Sequence, residues 1–275
     1  MGRASLSAHD YVYNGNIFKF PNLANLNTRF YSSDSESAYQ ENTGKFDKYY
    51  YDVSYSFNSA GYRAPDFDAV KSPFALIHGC SHTEGVGLHE HDLWSTKICK
   101  YFGWQCVNLA KSGSAADFNI LNSMMWFNSD LPKPKIVLFQ VPNVRRFATF
   151  EFFEESFKGA MTNSDTLLQR ASHELNINEN TFHFLEEDSL SRYDSNAVKL
   201  DIELAFLKKI WESAGVRFIA WSWDQDMHDR LQTVNYLAPE GDERANTYGR
   251  DMRHAGYPYH DCLTEFLKEI IRYES

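Results

Sequence analysis

Between Phe74 and Trp221 the chain alternates short, wholly apolar runs with longer stretches of helical period. Phe74-Ala75-Leu76-Ile77-His78 is a compact apolar run that stops at Gly79. Residues 93–102 place apolar side chains at helical spacing and end at Gly103, a residue suited to a helix C-terminal cap. Residues 104–110 predict a second strand, and Ser112-Gly113-Ser114 a turn. Residues 117–130 predict a helix with Phe118, Leu121, Met125 and Trp126 on one face. After Pro132 and Pro134, residues 136–141 are almost continuously hydrophobic, as a strand covered on both faces must be. A helix over about 196–214, a strand over 217–221, a long polar loop and a closing helix over about 259–272 complete the pattern. Strand–helix alternation of this kind predicts an α/β domain, with a parallel sheet between helices and ligands outside the carboxyl ends of the strands.

The flanking segments read differently. Residues 1 to about 45 are polar, with Asn, Ser and Asp dominating 22–42, and predict an arm over the main domain or a partly mobile segment. Tyr51, Val53, Tyr55 and Phe57 alternate with polar residues, the period-2 mark of a half-buried strand. The expected division is 1–72, an arm and strand packed on the core, and 73–275, the α/β domain. Within the latter, about 150–195 breaks the alternation with an acidic, aromatic mixture and predicts a helical insertion or lid.

Composition narrows the function. The chain has 275 residues, 43% hydrophobic and 23% charged, enough to bury one sizeable core. A net charge of −10 argues against nucleic acid as partner, since phosphate binding needs concentrated Lys and Arg. The four cysteines, Cys80, Cys99, Cys106 and Cys262, are too scattered for a zinc motif and too few for a disulfide scaffold, so reduced thiols are expected. His78, His82, His89 and His91 invite a metal reading, but no carboxylate completes a ligand spacing; neither metal nor cofactor is expected. The first residues hold no apolar stretch and no run has the length of a membrane span. The expectation is a soluble protein without signal peptide or membrane partner, cytoplasmic by default, its final location and oligomeric state left open.

Chemistry gathers at two motifs. Gly79-Cys80-Ser81-His82-Thr83-Glu84-Gly85 follows the first strand of the alternation, and Asp251-Met252-Arg253-His254 precedes the last helix. In a parallel sheet the residues just after each strand share one rim, so Ser81, Gly113 and Asn143 converge there. With the Asp-x-x-His they supply the material of a nucleophilic triad. Taken alone, Ser81 could simply cap a helix, Asn143 steady the turn after Pro142, and His254 lie on the surface.

Four blocks in this order resemble the SGNH hydrolases, the GDSL esterase/lipase superfamily. The first, Gly-Asp-Ser-x-x-x-Gly, is matched by 79–85 with Cys80 in place of Asp. The second lies in Asn108 through Gly113, and the third, Gly-x-Asn-Asp, in Val141-Pro142-Asn143-Val144, where both valines depart from it. The fourth is matched in full by Asp251 and His254. Upstream, Phe57-Asn58-Ser59-Ala60-Gly61-Tyr62-Arg63 resembles a leader found in some members. The resemblance spans about 74–272 and implies a flavodoxin-like three-layer α/β/α sandwich. It also implies a serine esterase with Ser81 as nucleophile, His254 as base and Asp251 as its orienting acid. The oxyanion would be held by the backbone of Ser81 and Gly113 and the amide of Asn143. The substrate expected is a small ester, most plausibly an O-acetyl group on carbohydrate. His82 and Arg63 are candidate substrate contacts, although for Arg63 a structural bond to the loop beside the first strand is the preferred reading. An O-acetyltransferase using the same site, or a catalytically inactive glycan-binding or assembly protein on the same fold, are the alternatives.

Overall fold

A computed structural model describes residues 10–13, 17–143, 146–153, 156–163, 179–239 and 248–273. The alternation becomes a five-stranded sheet whose strands are β4 (Phe74–His78), β5 (Gln105–Asn108), β6 (Ile136–Gln140), β9 (Arg217–Ser222) and β10 (Tyr236–Leu237). Every neighbouring pair is parallel, in the order β10-β9-β6-β4-β5. Counted along the domain this is the 2-1-3-4-5 order of doubly wound flavodoxin-like sheets. The chain leaves β4 towards one edge and returns on its other side at β6, which opens a crevice at the carboxyl ends of these two strands.

Alternate side chains leave the sheet in opposite directions, and both faces are covered. Leu76, Val137, Phe139, Phe218 and Ala220 face α4 (Ala116–Asn128) and α5 (Glu179–Ser213), packing with Phe118, Trp126, Leu204 and Trp211. Ala75, Ile77, Ile136, Leu138, Ile219 and Trp221 face α3 (Trp94–Phe102) and α7 (Tyr257–Tyr273), packing with Ile98, Leu263, Leu267 and Ile271. Burial on both faces explains why β4 and β6 read as uninterrupted apolar runs. In the polar loop after β9 the chain forms a short helix, α6 (Gln225–Arg230), and the edge strand β10, both too brief to leave a periodic signal.

Two expectations are corrected. The insertion is not helical where it begins: β7 (Arg146–Phe153) and β8 (Ser156–Asn163) form an antiparallel hairpin, and β1 (Asp10–Tyr13) pairs with β8 as a third strand. Helix enters only with α5, which runs from Glu179 far upstream of the expected start near 196; 164–178 lie outside the described residues. The predicted strand over Tyr51–Phe57 shrinks to β3 (Tyr55–Ser56), which pairs with β2 (Asn27–Thr28). Its alternation reflects a short 3-10 turn at Lys48–Tyr50 followed by extended chain, with Tyr50, Val53, Tyr55 and Phe57 all turned into the core.

The arm is more deeply built in than its polarity suggests. Phe18, Phe20, Tyr31, Tyr55, Phe57 and Tyr62 are buried in the same core as α4 and α5. Two buried ion pairs fasten it. Arg250 grips Asp34 through Nε and Nη2, at 2.9 and 2.8 Å, and Tyr55 donates to the same carboxylate. Lys111 meets Glu84 at 2.6 Å with both side chains 1% exposed, and Tyr31 and the Ser112 N–H donate to Glu84 as well. Around Lys111 lie the rings of Phe20, Tyr31, Phe57 and Tyr62, four faces that help a desolvated ammonium.

Candidate active site

At the carboxyl end of β4 the chain turns sharply at Gly79-Cys80 into α2 (Ser81–Glu84). The turn is held from two sides. Gln140, the last residue of β6, accepts from the Cys80 N–H at 3.0 Å, and Asn119 of α4 accepts from the Gly79 N–H at 3.2 Å. Ser114 closes the arrangement by donating to the Gly79 carbonyl at 2.7 Å. Cys80 is buried and takes its place through its backbone, where a packed thiol suffices. Ser81 thus opens a helix at the crevice between β4 and β6, with its side chain directed at the loop before α7.

That loop brings the Asp-x-x-His to it. His254 Nε2 lies 2.7 Å from Ser81 Oγ, and its Nδ1 lies 2.6 Å from Asp251 Oδ2. With the ring proton on Nδ1, Nε2 is free to accept from the serine hydroxyl. Asp251 Oδ1 accepts the backbone N–H groups of Arg253 and His254, each at 3.1 Å, which locks the turn. Burial by itself pushes the Asp251 carboxyl up. The hydrogen bond and charge of His254 and the hydroxyl of Ser33 outweigh it and hold the group down at about 2. Asp251 is therefore an anion against the imidazole. Ser33 donates to Asp251 Oδ2 at 2.6 Å, a contact the sequence did not reveal because the two residues are 218 positions apart.

No protein-family model matches the chain, and no curated protein matches it in sequence. Solved structures of similar fold include TesA, at 10% identity and a TM-score of 0.42, over 71% of this chain and 96% of that one. A carbohydrate esterase whose active site displays divergent catalytic and non-catalytic binding functions is 13% identical at a TM-score of 0.42, over 73% of this chain. A Corynascus thermopiles (Myceliophthora fergusii) carbohydrate esterase family 2 enzyme with its carbohydrate-binding domain is 14% identical at 0.41, over 74% of this chain. The matched part spans 65% and 66% of the lengths of these two esterases. Likeness at this level assigns no activity; the chemistry has to come from the residues themselves.

The remaining sequence candidates fall into place unevenly. Gly113 sits in the turn after β5 with φ +76°, in the left-handed region that favours glycine. Asn143 follows β6, and its Nδ2 donates to Asp224 Oδ2 at 3.2 Å. Asp224 is itself fixed as the N-cap of α6. His82 lies between two rings, edge-on to His254 with centroids 4.7 Å apart and tilted against Trp223 at 4.6 Å, and so sits beside His254. Of the two roles open to Arg63, the substrate contact gives way to the structural bond: it is buried, and its Nη1 donates to the carbonyls of Glu84 and Gly85 at 3.0 and 2.7 Å. A buried guanidinium on the carbonyls that end α2 braces the helix that Ser81 opens. Val144 lies outside the described residues. Among the described residues, no group of three or more His, Cys, Asp or Glu side chains is placed to hold a metal, and no helix is long and apolar enough to cross a membrane.

Proposed function

We propose that the protein is a serine ester hydrolase of SGNH type, acting on a small ester, with O-acetyl groups on carbohydrate as the substrate class. The observation that carries this reading is the hydrogen-bonded chain from Ser81 through His254 to an ionised Asp251, at 2.7 and 2.6 Å. Ser81 Oγ attacks the ester carbonyl while His254 Nε2 takes its proton. The tetrahedral intermediate collapses, the C–O bond breaks, and the alcohol leaves with the proton from His254. Water then attacks the acyl carbonyl while giving a proton to His254, and the acid leaves as His254 returns that proton to Ser81 Oγ. Asp251 keeps the imidazole in the required tautomer and stabilises its charged form.

The developing oxyanion is assigned to the backbone N–H groups of Ser81 and Gly113 and the side-chain amide of Asn143. Donors of this kind are worth ~2.7–4 kcal/mol each in the transition state. The half-buried ring of Trp223, tilted against His82 beside the catalytic histidine, offers a face for a sugar-sized alcohol next to the acyl group. Ser81→Ala should abolish turnover of an aryl acetate while leaving the fold intact by circular dichroism. Full activity in a clean preparation of that variant would refute the assignment.

A further inference from the structure

The Tyr31–Asp34 segment is a tight two-residue hairpin. Tyr31 and Asp34 exchange backbone hydrogen bonds at 2.9 and 3.1 Å, and Ser32 at its tip has φ +59°, a left-handed conformation unusual for a serine. The turn lies between the two halves of the site. Ser33 donates to Asp251 Oδ2 at 2.6 Å, and Ser32 Oγ shares a hydrogen bond with Ser112 Oγ at 2.7 Å, next to Gly113. Its stem is fastened to the same two places. Asp34 is bound by Arg250, the neighbour of Asp251, and Tyr31 donates to Glu84, which also receives the Ser112 N–H.

We infer that this turn of the N-terminal arm is a working part of the active site, with Ser33 as a positioning residue that fixes Asp251 against His254. The inference rests on the ester-hydrolase reading and deepens it. The Asp251 Oδ2 atom receives both the imidazole N–H and the Ser33 hydroxyl. Without Ser33 the carboxylate is held only through Oδ1 and the imidazole, and it can rotate away from the line to Ser81. Ser32 gives the same turn a grip on the loop that carries Gly113, so acid and oxyanion loop are set by one rigid element. A merely structural serine would contribute to stability alone, whereas a positioning serine acts on turnover.

The test compares aryl acetate kinetics and melting of the wild-type chain, Ser33→Ala and Ser33→Thr. Loss of a hydrogen bond to a charged group is expected to lower kcat about tenfold. KM should stay unchanged, and Ser33→Thr, which keeps the hydroxyl, should recover most of the rate. If Ser33→Ala melts early, its kinetics are read well below its midpoint, where circular dichroism shows both variants folded. An unchanged kcat in Ser33→Ala, or a threonine variant as slow as alanine, overturns the positioning role while the ester-hydrolase reading stands. A wild-type chain without esterase activity overturns that reading, and this inference with it.

Discussion

His78 ends β4 one residue before the turn to Ser81, wholly buried, and neither ring nitrogen has a hydrogen-bond partner among the described residues. Desolvation holds it down at about 3, and burial does the same to His260, with smaller help from nearby positive charge. His260 also accepts the Trp94 N–H on Nδ1, which requires that nitrogen unprotonated. Both rings stay neutral in the fold, while in the unfolded chain they take up protons below about 6.5. Stability is therefore intact above that pH and falls as pH drops towards 3, by about 1.4 kcal/mol per pH unit for each ring. The depressed Asp251 adds a loss of the same sign at the acid end, between its ordinary range and about 2. His78→Leu should raise stability at neutral pH by about 1–3 kcal/mol by removing orphaned polar atoms, and flatten the acid limb. Urea titrations at pH 7 and 5 check this; an unchanged pH slope would contradict it. At this scale the sequence was legible where a motif names its own residues: Ser81, Asp251 and His254. It was silent on Ser33, whose meaning lies wholly in a distant contact, and ambiguous on Arg63, whose long side chain left two destinations open.

Among the elements, the crossing of two loops at Gly87 and Gly249 places the acid. Arg250 N–H donates to the Gly87 carbonyl at 2.9 Å, so the backbones touch directly beside Asp251. Gly87 has φ +82°, and a Cβ there would lie 3.0 Å from Asp251 Oδ1 and 3.1 Å from the Arg250 nitrogen. Gly87→Ala should therefore cost stability by roughly 1–2 kcal/mol for the left-handed conformation, and lower kcat by displacing Asp251. A variant that melts early but turns over aryl acetate at the wild-type rate would show that the crossing does not position the acid. The elements themselves divide by what their burial demands. β4, β6 and β9 were legible because a strand covered on both faces must be apolar throughout. The hairpin of β7 and β8 was not, because its edge partner β1 lies more than 140 residues upstream and neither strand keeps a clean apolar–polar alternation.

Across the whole molecule, the site depends on segments from nearly the full length of the chain. The arm supplies Ser33, the start of α2 Ser81, and the loop before α7 Asp251 and His254, while the oxyanion donors Gly113 and Asn143 are proposed from the turns after β5 and β6. The crevice that gathers them follows from the strand order, which alternating apolar runs alone could not reveal. The arm's place in the core was equally hidden, since Phe18, Phe20, Tyr31 and Tyr62 follow no period, and the groups that hold the arm, Arg250 on Asp34 and Lys111 against its rings, lie far along the chain. The proposed function turns on one activated hydroxyl, Ser81, and a serine-directed fluorophosphonate reports on it directly. The expected result is a single adduct per chain on the peptide containing Ser81, absent from Ser81→Ala and slowed by His254→Ala. Folded wild-type protein that takes up no label, or carries it on another residue, would contradict the account.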